Sequence, residues 1–379
     1  MQAQLFPGLK QSVIRCGADR TEVYLPLLHG KNIVLVANPT SRVGKVHLLD
    51  TLIHSDISVK RVFAPEHGFR GEGEAGAKIQ DNLDPVTGIP VVSLYGNHKK
   101  PTPEDLKGID LVVFDIQDVG VRFYTYISTL HLVMEACASA KIPVMVLDRP
   151  NPNGFYTDGP IWDPAFKSFV GMHPVPVVHG MTIGEYAGMI NGEHWLEGGL
   201  QCELSVIRST GYDHQTEYIL PVKPSPNLPN QTSVYLYPTL CFFEGSVVSI
   251  GRGTSFPFQV YGHPDMAGDF SFTPKSIPGV SLHPFHENKE CHGKDLRLNG
   301  ISEISQKPEL KLEWIIDAYK KLNSTSSFFI GYFDTLAGTD QLRIQIGKGL
   351  SPEEIRLTWE PGLKKYRDMR SKYLLYPGN

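Results

Sequence analysis

Glu66 and His67 place a carboxylate beside an imidazole, directly after an apolar run that stops at Pro65. Glycines follow at Gly68, Gly71, Gly73 and Gly76. Proline fixes φ, and glycine admits positive φ and close approach, so the pair is presented on a tightly shaped loop. A carboxyl held this way suits proton transfer to a leaving oxygen. Taken alone, the segment reads equally well as a charged surface turn. Other polar residues follow other apolar runs in the same manner. They are Asn38 after the first run, then Asp115, Asp118, Arg122, Tyr124 and Tyr126 after a later one, and Asp148, Arg149 and Asn151 after the next.

The elements that must position these groups are short apolar-rich segments at 33–37, 59–64, 90–94, 111–114 and 143–147, several of them continuous Val/Ile/Leu runs. Helical patterns lie between them at 46–53 and 126–140, the latter with Ile127, Leu130, Val133, Met134 and Cys137 on one face. Continuous apolar strands alternating with helices predict βαβ units and a parallel sheet covered on both faces. The expected fold is α/β, a Rossmann-like domain over residues 1–215 followed by a smaller α+β domain over 216–379. In such a sheet the ligand crevice lies at the carboxyl ends of the strands, so the strand-end residues should converge on one cleft. The second part opens with a Pro- and Asn-rich loop over 218–238. It then carries strand-like segments at 246–250, 328–333 and 342–346. Helices are expected at 310–322 and 352–366, the last with Ser351 as cap and Pro352 in its first turn.

Composition narrows the function classes. A length of 379 residues fits two domains, and a net charge of −4 without a basic run argues against nucleic acid. No apolar stretch approaches the roughly 18–20 residues of a membrane helix, and residues 1–10 lack the pattern of a secretory leader. Five scattered cysteines form neither a disulfide framework nor a zinc site. The set His283, His286, Cys291 and His292 matches no standard zinc spacing and reads as a solvated loop, so no metal is expected. Gly71 to Gly76 matches G-x-G-x-x-G, but its two glutamates are poorly suited to a pyrophosphate. Lys45 has no P-loop around it, and no G-x-S-x-G elbow is present. No cofactor is implied. What remains is paired-carboxylate chemistry in a cleft rich in Tyr, Asn, His and Arg, an inventory suited to a carbohydrate.

Several segments together closely resemble the NamZ-type exo-β-N-acetylmuramidases. They include Asn38-Pro39-Thr40, Pro65-Glu66-His67-Gly68, Ser93-Leu94-Tyr95-Gly96 and the run from Phe114 through Asp118 and Arg122 to Tyr126. Leu147-Asp148-Arg149-Pro150-Asn151-Pro152, Gly159-Pro160, His179-Gly180-Met181-Thr182 and Pro224-Ser225-Pro226-Asn227 follow in order. Gly251-Arg252-Gly253-Thr254 and Leu336-Ala337-Gly338-Thr339 complete a series that covers nearly the whole chain. The sequence departs from the pattern at Val247-Val248 and over 259–265, Gln-Val-Tyr-Gly-His-Pro-Asp.

The resemblance implies an active cleft between the two domains and release of N-acetylmuramic acid from the non-reducing ends of peptidoglycan fragments. It places Glu66 at the proposed catalytic glutamate, here read as the general acid. For a second carboxylate Asp118 is favoured over Asp115, and retention, inversion and assistance by the substrate's acetamido group all stay open. Asn38, His67, Arg122, Tyr124, Tyr126, Asp148, Arg149, Asn151, His179, Ser225, Asn227 and Arg252 are candidate substrate-binding residues. The lactyl carboxylate of the sugar calls for a cation, for which Arg149 and Arg252 are available. If the backbone there is extended, Tyr124 and Tyr126 point to opposite faces and one of them meets sugar. Glu185, three residues after Thr182, reads as part of a capping box rather than a catalyst. The partners expected are muropeptides, with no nucleic acid and no membrane insertion, and a periplasmic or secreted location. The alternative is a muropeptide-binding protein that keeps the cleft and cleaves nothing.

Overall fold

Alternate residues of the first long strand, β1 (Asn32–Ala37), serve two different cores. Ile33, Leu35 and Ala37 pack with the helices α1 (Thr21–Leu28) and α2 (Leu48–His54). Val34 and Val36 join a much larger cluster on the other face, with α3 (Tyr126–Ala140) and α4 (Ile183–Gly192). Burial on both faces is why this strand is apolar throughout rather than alternating. The computed structural model describes residues 5–66, 68–70, 82–322 and 328–378.

After β1 a small hairpin, β2 (Arg42–Val43) and β3 (Val46–His47), precedes α2. The sheet then takes up β4 (Ser58–Ala64), β5 (Asn82–Leu83), β6 (Pro90–Ser93), β7 (Leu111–Asp115), β8 (Val144–Leu147) and β9 (Leu204–Ile207). The spatial order is β5-β6-β4-β1-β7-β8-β9, with β5 antiparallel at the edge and the others parallel. Numbered along the chain, the six parallel strands run 3-2-1-4-5-6, the doubly wound Rossmann order, whose switch point lies between β1 and β7. The expected α/β class and parallel sheet are thus present.

Beyond the sheet come α5 (Gln231–Leu240), an antiparallel sheet of β10 (Val260–His263), β12 (Cys291–Asp295) and β11 (Phe270–Phe272), and five further helices. These are α6 (Asn299–Gln306), α7 (Leu312–Lys321), α8 (Tyr332–Ala337), α9 (Gln341–Gly347) and α10 (Pro352–Arg370). The last is capped as its sequence requires: Ser351 Oγ accepts from Glu354 N, and the Glu354 carboxylate accepts from Ser351 N. Its buried stripe of Ile355, Trp359, Leu363 and Tyr366 recurs at helical spacing.

Three expectations for this part need correction. The segment at 342–346 is helix α9, not a strand; Leu342 and Ile346 are buried one turn apart, and five residues of Leu-Arg-Ile-Gln-Ile fit either period. The loop at 218–238 ends early, because Asn230 caps α5 through Ser233 N, and Pro238 lies within that helix. Residues 246–250 and 328–333 contribute isolated bridges, Ser246 to Phe329 and Ser249 to Gly262, and Tyr332 already begins α8.

The larger hydrophobic cluster joins both parts of the chain, from Val34 and Phe114 of the sheet to Trp314, Phe333 and Trp359. A shared core predicts shared cooperativity. Phe114→Ala, which empties a fully buried site on β7, should cost about 3–5 kcal/mol in urea denaturation. Circular dichroism and the fluorescence of Trp162, Trp195, Trp314 and Trp359, all outside the sheet, should report one coincident shifted transition.

Candidate active site

The strand ends at the switch point are filled by protein. Arg149, just after β8, donates from Nε and Nη2 to Asp115 at 2.6 and 2.9 Å and from Nη2 to Arg42 O at 2.9 Å. Both side chains are buried, 4% and 0% exposed. Burial pushes the Asp115 carboxyl up, while burial of Arg149 is outweighed by the Asp115 charge and hydrogen bonds acting together with neighbouring groups, which raise the guanidinium. A donor-only guanidinium in bidentate contact holds the pair ionised. Ser41 and Thr40 close the same corner, the Ser41 hydroxyl on Asp115 O and Thr40 Oγ1 accepting from Gln117 N at 3.0 Å. Asn38 Oδ1 accepts from Thr40 N and Oγ1 at 2.9 and 2.6 Å.

Other candidates are turned to the backbone. Asp148 accepts from Tyr376 OH, Thr182 Oγ1, Gly184 N and Arg149 N, between 2.6 and 3.0 Å. Burial pushes its carboxyl up to about 6 against these donors. Asn151 Nδ2 donates to Met181 O at 2.9 Å, and its Oδ1 accepts from Asn153 N at 2.8 Å. Gly120 rests on it with φ 81°, and a Cβ there would lie 2.2 Å from Asn151 Oδ1. Arg122 is 1% exposed, and its guanidinium donates to Pro160 O, Val175 O, Leu336 O and Ala337 O at 2.6–3.1 Å. Burial lowers its pKa to about 9, which leaves it cationic at neutral pH. Glu185 forms the expected capping box with Thr182.

Asp118 is 4% exposed and accepts from Gly120 N at 2.7 Å. Met181 N donates to His179 Nδ1, which puts the ring proton on Nε2, 3.6 Å from Asp118 Oδ2. Asp118 Oδ1 is buried with no hydrogen-bond partner among the described residues.

The cavity of about 350 Å³ lies to the side of this filled corner, between the end of β4 and the second part of the chain. Glu66, Tyr124, Tyr126, Ser225, Asn227 and Arg252 of the sequence candidates line it. Asn38, Asp115, Asp118, Arg122, Asp148, Arg149, Asn151 and His179 do not. His67 and the glycine motif at Gly71–Gly76 lie outside the described residues.

Glu66 is half-buried at the first turn after β4, and its Oε2 accepts from Thr125 Oγ1 at 3.2 Å. Tyr95 is hydrogen-bonded to the same carboxylate; burial and then the Glu66 charge push its phenol up to about 12. No cation pairs with Glu66 among the described residues. The chain from Tyr124 turns directly into α3, so the two tyrosines do not diverge as an extended segment would require. Their rings meet edge to face at 4.8 Å, and both hydroxyls reach Pro224 O, at 2.9 and 3.4 Å. That pins the Ser225–Asn227 segment over the cavity. Asn227 Nδ2 donates to Val280 O at 2.9 Å, leaving Oδ1 buried and unpartnered among the described residues.

Sequence reasoning missed Tyr237, Glu244, Phe258 and Tyr332 in the wall. Glu244 follows α5 in the apolar run Leu240-Cys-Phe-Phe-Glu, where an isolated acid is itself a signal. Arg252 sits in a turn between Gly251 (φ 78°) and Gly253 (φ 80°). Its Nε and Nη2 donate to Glu244 Oε1 at 2.7 and 2.6 Å, and its guanidinium lies 5.0 Å from the Phe258 ring. Burial works to lower the Arg252 pKa, and the Glu244 charge together with its hydrogen bonds and neighbouring groups more than reverses it. Among the described residues Arg252 is the cavity's only cation.

No His, Cys, Asp or Glu cluster among the described residues is arranged to hold a metal. His286 Nε2 lies 2.7 Å from Val247 O, and Cys291 is a buried residue of β12. All five cysteines are buried and free. No helix among the described residues is long and apolar enough to cross a membrane.

Residues 33–232 match the N-terminal domain, and residues 235–376 the C-terminal domain, of the exo-β-N-acetylmuramidase NamZ. The chain belongs to the NamZ family. It is 39% identical over 375 residues to the peptidoglycan β-N-acetylmuramidase NamZ of Bacillus subtilis (strain 168), covering 93% of this chain and 89% of that protein. Two crystal structures of DUF1343 family proteins from Bacteroides fragilis NCTC 9343 share the architecture. One has a TM-score of 0.90 at 45% identity, covering 97% of this chain and 100% of that one. The other has a TM-score of 0.82 at 28% identity, covering 96% and 99%. The two NamZ domain matches meet within the first turn of α5. The sequence departures fall between the bridge residues Ser246 and Ser249 and across β10 and its flanks, and none of these residues lines the cavity.

The geometry assigns the Asp115–Arg149 pair to the scaffold. Asp115→Asn strands a buried guanidinium and should cost about 3–5 kcal/mol, whereas Asp115→Leu combined with Arg149→Met should cost far less. Urea denaturation of the two variants checks this ordering.

Proposed function

We propose that this protein is a glycosidase acting on peptidoglycan, an exo-β-N-acetylmuramidase that releases N-acetylmuramic acid from non-reducing ends, with Glu66 as general acid. The observation that carries the reading is a carboxylate without a cationic partner among the described residues, in an open cleft walled by tyrosines with one arginine. The activity named for the Bacillus subtilis relative supports the same choice.

The roles follow from the groups present. The hydroxyls of Tyr95 and Thr125 fix the orientation of the Glu66 carboxyl, so that its proton meets the glycosidic oxygen. Tyr124, Tyr126 and Tyr237 offer aromatic edges and faces to the sugar ring. Asn227 lines the cavity and, with Oδ1 unpartnered among the described residues, could accept from a hydroxyl or an acetamido N–H only after a small shift that exposes the oxygen. Arg252 is the cation for the lactyl carboxylate; Arg149 is spent on Asp115. Asp115 is committed in the same way, so a second carboxylate role falls to Asp118 beneath the tyrosines or to the substrate's acetamido group. No step requires a metal or a cofactor. A substrate of this kind places the work outside the cytoplasm, in the periplasm or the medium.

An aryl β-N-acetylmuraminide, with the N-acetylglucosaminide as control, tests the reading. The wild type should release the aryl group from the muraminide, without inhibition by EDTA, and Glu66→Gln should lose about a hundredfold or more of the rate while still binding the sugar. Binding of muropeptides by the wild type without turnover would establish the non-catalytic alternative instead.

A further inference from the structure

Glu244 occupies an unusual position for an acid on the wall of a site for an anionic sugar. Its Oε1 takes two N–H groups of Arg252, at 2.7 and 2.6 Å. Its Oε2 is approached by the buried Cys241 thiol at 3.6 Å. Both charged side chains are one-quarter exposed and line the cavity.

We propose that Glu244 is a positioning residue that sets how strongly the site holds the sugar's carboxylate, by engaging one edge of Arg252 before any ligand arrives. The inference rests on the N-acetylmuramic acid reading above. Among the described residues the wall carries two carboxylates, Glu66 and Glu244, against one guanidinium. Glu244 balances the charge of Arg252, so the pair presents hydrogen-bond donors without net positive charge. Its Nε and Nη2 are directed at Glu244, and among the described residues nothing takes Nη1. Phe258 at 5.0 Å supports the guanidinium. An incoming carboxylate meets a fixed donor edge and, behind it, a like charge.

This arrangement answers a requirement of exo-cleavage. The released monosaccharide carries the same carboxylate as the substrate end, so whatever strengthens substrate capture also slows product release. On the wall of a partly buried cleft, an uncompensated guanidinium would hold that carboxylate more strongly than one in bulk water. Compensation by Glu244 keeps the recognition and weakens the hold. Uniform binding of substrate and product adds nothing to turnover once the site is filled.

Calorimetric titration of free N-acetylmuramic acid and free N-acetylglucosamine into the wild type, Glu244→Gln and Arg252→Gln tests the proposal. Glutamine keeps an oxygen for Arg252 and removes the charge. It should tighten the muramic acid about fivefold to tenfold and leave the glucosamine unchanged, with lower kcat and stronger product inhibition on the muraminide. Arg252→Gln should abolish the difference between the two sugars. Equal changes for both sugars in Glu244→Gln, or weaker muramic acid binding, would overturn the proposal and leave Glu244 as a packing partner only. If Glu244→Gln does not fold, Glu244→Asp, which withdraws the charge by one methylene, should shift the ratio in the same direction, and an unchanged ratio overturns it equally. A wild type that does not distinguish the two sugars would fail the functional reading itself, a result separate from any change in Glu244→Gln.

Discussion

The rest of the structure depends on the buried contact between Asp115 and Arg149. In a sheet of this strand order the gap beyond β1 and β7 is where a ligand ordinarily enters. Here a bidentate ion pair, the Ser41 hydroxyl and the Thr40 bond to Gln117 occupy it. The contact ties the ends of β7 and β8 to the β2–β3 hairpin that follows β1 through Arg42 O. A corner sealed this way cannot receive a nucleotide. The candidate cavity is accordingly found one strand over, at the end of β4, where the sheet meets the second half of the chain.

That displacement makes the second half an obligatory wall. Arg122 spans the join: its backbone follows β7, and its guanidinium ends on the carbonyls of Leu336 and Ala337 at the end of α8. Tyr124 and Tyr126 make a second tie, to Pro224 O. Both ties arise from the few residues between β7 and α3, and Gly120 lets that segment pass against Asn151. One short stretch thus supports Glu66 through Thr125, holds the Ser225–Asn227 segment over the cavity and anchors α8. Geometry at the site is inherited from this stretch more than from the sheet itself.

Much of the first half was legible in the sequence, because strands buried on both faces must be apolar throughout. The runs at 33–37 and 111–114 lie within β1 and β7, the segment at 59–64 lies within β4 although Lys60 and Arg61 interrupt it, and the pattern at 126–140 coincides with α3. The second half was less legible for a physical reason. Elements such as α9 and β11 span seven and three residues, too few for a period to declare itself. The site divides along similar lines. A polar residue after a strand is visible in sequence, but whether its partner is ligand or backbone is decided by tertiary contacts. Asn38, Asp148 and Asn151 went to backbone and side-chain partners, while Glu66 faced the cavity. Glu244 and Tyr332, far along the chain from Glu66, joined it only through the fold.

The way charge is distributed carries the functional argument furthest. Burying an unpaired ion is costly, and this protein avoids it at Asp115 and Arg149 by pairing, and at Asp148 by four donors. Asp158 meets Arg356 at 2.7 Å in the same spirit. Against that habit, Glu66 is half-buried with two hydroxyls and no cation among the described residues. Hydroxyls can orient a carboxyl in either protonation state, whereas a guanidinium would commit it to the anion. A group meant only to stabilise the fold gains from the cation; a group that must give up and regain a proton does not. The contrast between Glu244, held by Arg252, and Glu66, held by hydroxyls, therefore separates the wall's charge-balancing acid from the acid we propose as proton donor.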